Sequence, residues 1–108
     1  LTSTKASDYT LTASDRIIFM ESGGAGPNTA TLPAASADTI GLVYEVYVHT
    51  SGSGVNVAPT GSDNINGDNA SVSLSDQWTG LRILGFDATG WIAESIEVPG
   101  GGMGGGGP

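Results

Sequence analysis

The residues that could do chemistry in this chain are few and mostly isolated. His49 is the only histidine, and there is no cysteine. A catalytic or metal-binding histidine needs partners. No second histidine or thiol exists to provide one, so His49 reads as a surface residue at the end of a strand. The densest group of oxygens is Asp63-Asn64-Ile65-Asn66-Gly67-Asp68-Asn69. Hard cations such as calcium take carboxylate and amide oxygens, but the run lacks the spacing and terminal Glu of an EF-hand. Asp, Asn and Gly are also what turns require, so a turn without metal outweighs a calcium site. Asn69-Ala70-Ser71 matches the N-glycosylation pattern, which matters only in a eukaryotic secretory setting. Trp78 and Trp91 offer flat faces that could stack on a sugar ring, although in so thin a core each weighs more heavily as core filler. Tyr47, Trp78, Asp63 and Asn66 form the candidate ligand-contact set. No nucleophile, base and orienting acid can be assembled around one histidine. Catalytic residues, cofactor and metal are therefore all expected to be none.

The elements that must position these residues are strands. Gly41 to His49 (GLVYEVYVH) places Leu42, Tyr44, Val46 and Val48 on one side, the period of two of a pleated strand with one dry face. Before it, Leu1 to Ser7 reads as an arm or edge segment, Tyr9 to Thr12 as a short strand and Ala13 to Asp15 as a turn. Arg16 to Glu21 (RIIFME) is a strand with apolar groups on both faces. A Gly-rich loop leads to Thr29 to Leu32, which Pro33 closes because proline cannot donate to a ladder. A helical turn capped by Ser36 is the lesser reading of Ala34 to Thr39. After His49, a Gly-Ser loop and Val55 to Ala58 give a hairpin signal. Asn66-Gly67 carries the positive-φ chemistry of a type I′ turn, and Val72 and Leu74 alternate with serines. Leu81 to Phe86 points Leu81 and Ile83 one way and Arg82, Leu84 and Phe86 the other. Asp87 to Gly90 is a second tight turn, and Trp91 to Glu94 returns, prolonged by Ile96 and Val98.

About eight short strands with turns between them predict an all-β fold, a small antiparallel sandwich, barrel or prism. Residues 1–98 form one domain with an N-terminal arm, and residues 99–108 form a Gly-rich C-terminal tail. Eleven acidic residues against Lys5, Arg16 and Arg82 give a formal charge of −8. Nucleic acid and anionic membrane surfaces are repelled by such a chain and are not expected as partners. No apolar run approaches the roughly 20 residues of a membrane helix.

Taken in order, Tyr9-Thr10-Leu11-Thr12, Asp15-Arg16-Ile17-Ile18, Ala30-Thr31-Leu32-Pro33-Ala34-Ala35, Gly41 to Val48, Val55-Asn56-Val57-Ala58-Pro59, Asp63-Asn64-Ile65-Asn66-Gly67, Leu74, Leu81 to Leu84 and Ala88-Thr89-Gly90-Trp91 make a recognisable set. The set resembles a module common in tailed-bacteriophage fibres, spikes and other virion appendages. The resemblance implies a β-rich, trimeric protein without enzymatic residues, and it brings no binding motif with it. The expected function is that of a non-enzymatic structural protein of a bacteriophage virion, as capsid decoration, head fibre or tail-fibre component. Its expected partners are copies of itself in a homotrimer and other virion proteins of capsid or tail. The two apolar faces of Arg16 to Glu21 favour the homotrimer independently, because a chain this small has few layers to cover both. The alternative is a carbohydrate-binding, receptor-recognition module that contacts a host-surface glycan through Tyr47, Trp78 and the Asp63 to Asn69 loop. The tail Pro99 to Pro108 is expected to pack against neighbouring subunits or a capsid surface, since glycines alone lose much entropy on ordering.

Overall fold

Short strands of alternating polarity need a second layer to bury their apolar sides, and this chain builds two mixed sheets face to face. The computed structural model describes residues 2–97. Its strands are β1 (Thr2–Lys5), β2 (Tyr9–Thr10), β3 (Ile17–Met20), β4 (Asn28–Thr31), β5 (Val43–Val48), β6 (Val55–Ala58), β7 (Asn64–Ile65), β8 (Val72–Leu74), β9 (Thr79–Asp87) and β10 (Gly90–Glu97). The larger sheet runs β1-β3-β5-β9-β10-β7 and the smaller β2-β4-β6-β8. From β1 to β9 each strand lies in the sheet opposite its predecessor.

This winding corrects two expectations. The sheets are not antiparallel: β1 with β3, β3 with β5, β2 with β4, β4 with β6 and β7 with β10 are parallel. Only β5 with β9, β6 with β8 and β9 with β10 run antiparallel among the described residues. Nor do β5 and β6 form a hairpin, because the loop between them carries the chain across to the other sheet. A chain that circles between two sheets re-enters each one in the same direction. Local alternation looks the same either way.

Both faces of each strand follow the alternation. Tyr44, Val46 and Val48 of β5 are fully buried, and Ile18 and Met20 of β3 lie beside them. Leu81 and Ile83 of β9 and Trp91 of β10 complete this side, and Ala30, Val55, Val57 and Leu74 face them from the smaller sheet. Full burial of each large aliphatic side chain stabilises by about 1.5–3 kcal/mol. Trp91 is 1% exposed and packs 5.7 Å from the Tyr44 ring, whose hydroxyl donates to the Thr12 carbonyl at 2.9 Å. Trp91 is core. Trp78 is not: it lies half-buried on the outer surface, so the core reading holds for one tryptophan and fails for the other.

Turn chemistry acts locally, as expected. Asn66 and Gly67 both adopt positive φ, 53° and 87°, and close a bridge between Ile65 and Asp68. Asp87 accepts from the N–H and hydroxyl of Thr89 and tightens the β9–β10 hairpin. Ser36 caps a single 3-10 turn, Ala37–Thr39, in a reciprocal capping box with Thr39, so the lesser reading of Ala34 to Thr39 is the one the chain adopts. The N-terminal arm is an edge strand, β1. The tail at residues 99–108 lies outside the described residues.

Candidate functional site

The outer face of the larger sheet carries the unusual chemistry, and strand register arranges it in rows. Inward residues of β5 are the even ones, so Val43, Glu45 and Tyr47 point out, with His49 following in the same phase. On β9 and β10 the outward residues are even: Arg82, Leu84 and Phe86, then Ile92 and Glu94.

The first row is aliphatic. Val43 of β5 pairs with Leu84 of β9, and Leu84 with Ile92 of β10. Phe86 follows along β9 and Ile40 precedes β5. Among the described residues these are the large apolar ones left exposed, from 39% at Val43 to 58% at Phe86. A depression of about 240 Å³ lies among Leu84, Ile92, Ala93, Arg82 and Glu94.

The second row is charged. Glu45, Arg82 and Glu94 stand in register across three strands. Arg82 reaches Glu45 at 3.4 Å and Glu94 at 3.2 Å. Exposed pairs of this kind contribute at most about 1 kcal/mol, so the ladder separates two surfaces more than it stabilises the sheet.

The third and fourth rows are aromatic. Phe19 of β3 lies opposite Tyr47 of β5, their nearly parallel rings 5.6 Å apart. Tyr47 in turn faces Gly80 of β9, and its ring occupies the space a Cβ there would need. A side chain at residue 80 would displace the ring. The Tyr47 hydroxyl donates to Glu45 at 2.7 Å, and burial, together with that hydrogen bond, pushes its pKa above the usual tyrosine value. Beyond it, His49 meets Phe19 edge-on at 6.4 Å and Trp78 edge-on at 5.7 Å. His49 Nδ1 has no hydrogen-bond partner, and the nearest carboxylate oxygen, on Glu21, is 3.9 Å away. The result is a continuous strip of rings, Tyr47–Phe19–His49–Trp78.

Trp78 is held in place against a backbone preference. Its φ is +68°, a region that a bulky L-residue enters at a cost of roughly 1–3 kcal/mol. Neighbouring bonds impose the conformation. Trp78 N–H donates to the Val48 carbonyl at 2.8 Å, the Gln77 amide to the His49 carbonyl at 3.0 Å and the Thr79 hydroxyl to the Asp76 carbonyl at 2.7 Å. The loop that presents Trp78 also lines a cleft of about 460 Å³, bounded by Ser73, Ser75, Asp76, Thr79, Ser95 and Ile96. That volume lies within the range of small-ligand sites.

The four residues of the candidate contact set are not in one place. Tyr47 and Trp78 belong to the same strip, joined through Phe19 and His49. Asp63 and Asn66 flank β7, which pairs with β10 at Gly90 and Trp91. Ile96, beside the aromatic rows, is six residues further along β10, about 20 Å at the usual strand rise. The side chains of Asp63, Asn66 and Asn69 are already engaged within the fold. Asp63 accepts from the Ala35 N–H at 2.7 Å, and the Asn69 amide donates to the carbonyls of Gly61 and Asp63. Asn66 pairs its side-chain amide with both the N–H and the carbonyl of Ala93, at 2.8 and 3.1 Å, as a strand would. Among the described residues no cluster of His, Asp and Glu could hold a metal ion.

Phe19, His49 and Glu21 were missing from the contact set. Their only sequence signal was parity: Phe19 is out of phase with the buried Ile18 and Met20, and His49 is in phase with Tyr47. Comparison with protein-family models, with curated proteins and with solved structures finds no match to this chain.

Proposed function

We propose that this chain is a non-enzymatic structural component of a bacteriophage virion, a capsid decoration, head-fibre or tail-fibre part, and that it works as a homotrimer in contact with capsid or tail proteins. The supporting observation is the aliphatic row. Single exposed apolar residues need no explanation, but Val43, Leu84 and Ile92 stand side by side in register with Phe86 and Ile40 adjoining them. Such a patch marks an interaction surface. Copies of a chain with net charge −8 repel one another, yet here they can meet. The row itself is uncharged, and Glu45 and Glu94 beside it share the Arg82 guanidinium, which offsets part of their charge. The virion setting rests on the resemblance of the ordered strand-and-turn set to phage appendage modules. Winding between two sheets suits such appendages, since successive coils extend a sheet without long connections.

Light scattering on the purified chain tests the assembly. A trimer mass is expected, and Leu84→Glu should reduce it to monomer with the β-sheet circular dichroism intact. A monomer mass at micromolar concentration overturns the assembly. Peptides of this chain should be found by mass spectrometry in purified virions, and their absence there overturns the setting.

A further inference from the structure

We infer that the aromatic strip Tyr47–Phe19–His49–Trp78, with the cleft beside Asp76, is a binding site for an uncharged oligosaccharide. The inference is independent of the trimer, whose surface lies beyond the Glu45–Arg82–Glu94 ladder.

A sugar ring has an apolar face of C–H groups and a rim of hydroxyls, so it needs both a flat π-surface and nearby donors and acceptors. The strip supplies the first in two places, at the Tyr47–Phe19 pair and at Trp78, with His49 standing edge-on between them. Its rings are half-buried, spaced 5.6, 6.4 and 5.7 Å apart, and together longer than one monosaccharide. The cleft supplies the second through the hydroxyls of Ser75 and Ser95 and the carboxylate of Asp76, with Ser73 and Thr79, whose protons go to Asn56 and the Asp76 carbonyl, adding acceptors only. One loop joins the two, since Asp76 and Thr79 line the cleft while Trp78 between them packs on His49. That loop is also where the chain tolerates a left-handed tryptophan. Strain of this kind persists where surrounding bonds impose it, and it clusters at ligand sites. A Trp needed only as bulk gains nothing from a half-exposed, strained position.

Charge narrows the ligand. Glu21 and Glu45 border the strip and Asp76 borders the cleft, and the whole chain is acidic. Uronic, sialylated and phosphorylated saccharides are disfavoured by repulsion. A quaternary ammonium would suit the carboxylates, but cation recognition needs ring faces turned toward one point. His49 instead meets its neighbours edge-on, at 62° and 75°.

A printed array of neutral, amino-bearing and acidic oligosaccharides, probed with the full chain, tests the site. Neutral glycans should bind and acidic ones should not. Trp78→Ala should weaken the best neutral ligand about tenfold or more, whereas Asp68→Asn, in the loop at the other end of the sheet, should leave it unchanged. Should Trp78→Ala fail to fold, Asp76→Asn replaces it, with a loss of about threefold or more expected. Binding of no glycan, preference for acidic ones, full binding by the strip or cleft variant, or fluorescence quenching by choline with no glycan bound would each overturn the inference.

Discussion

The two ends of the larger sheet's outer face are built on the same strands and the same pleat, yet they suit different neighbours. At one end Val43, Leu84, Ile92 and Phe86 present carbon and nothing that hydrogen-bonds. At the other, rings alternate with carboxylates and adjoin a hydroxyl-lined cleft. An aliphatic surface gains most from another dry surface that removes it from water. A ring with polar groups around it can hold a hydrated molecule and still satisfy that molecule's hydrogen bonds. Between them the Glu45–Arg82–Glu94 ladder keeps water on the sheet. The chemistry changes within two residues along each strand, so one small sheet can carry two independent surfaces.

The sharpest way to separate the two ends uses the tryptophans. Trp91 lies beneath the aliphatic end, 1% exposed, and Trp91→Ala should cost about 3–5 kcal/mol, the usual range for an aromatic removed from a core. Trp78→Ala at the aromatic end should cost only about 1–2 kcal/mol, because its ring was never fully removed from water. Urea melts of the two variants measure the contrast. Equal losses would mean that Trp78 is as structural as Trp91.

An effect smaller than that of Trp91→Ala should come from Gly80→Ala. The added Cβ displaces the Tyr47 ring, and a shift of this kind in a packed region costs roughly 1–3 kcal/mol. The change should disturb the aromatic end alone. Ring-proton shifts of Tyr47 and Phe19 should move while methyl signals of Leu84 and Ile92 stay in place. Movement at both ends would show that the ladder does not insulate them.

The smallest effect should appear on acidification, at the turn that follows Phe86. The N–H of Thr89, and then its hydroxyl, hold the Asp87 carboxyl below its ordinary value of 3.8. A carboxylate whose folded pKa is depressed contributes stability that is complete above the unfolded value and is lost as pH falls through the folded one. The wild-type chain should therefore melt slightly above Asp87→Asn at pH 6, with the lead shrinking below pH 3.8. Asp15 follows the same rule: burial raises its pKa, but hydrogen bonds from Tyr9 and Thr12 outweigh that and leave it lowered. A lead that persists undiminished to pH 2 would remove charge from the account of the β9–β10 turn.

What the sequence determined by itself was everything that depends on neighbours along the chain. Parity of two gathered Tyr44, Val46 and Val48 on one dry face and set Arg82, Leu84 and Phe86 opposite Leu81 and Ile83, because a pleated strand turns each successive Cβ to the opposite face. Asn66-Gly67 and Asp87 to Gly90 declared their turns because the preferences lie in those residues' own backbones and side chains. Only tertiary structure decided which strand lies beside which. Ile17 meets Glu45 in a parallel pair across 28 positions of sequence, and no local pattern distinguishes that from a hairpin. The aromatic strip was hidden for the same reason, since Phe19, Tyr47, His49 and Trp78 come from separate segments that meet only once the chain has wound between two sheets. The Asp63 to Asn69 loop shows the converse. Its residues are the same whether they close a turn or hold a ligand, and only their partners, Ala35, Gly61 and Ala93, show that the turn has taken them.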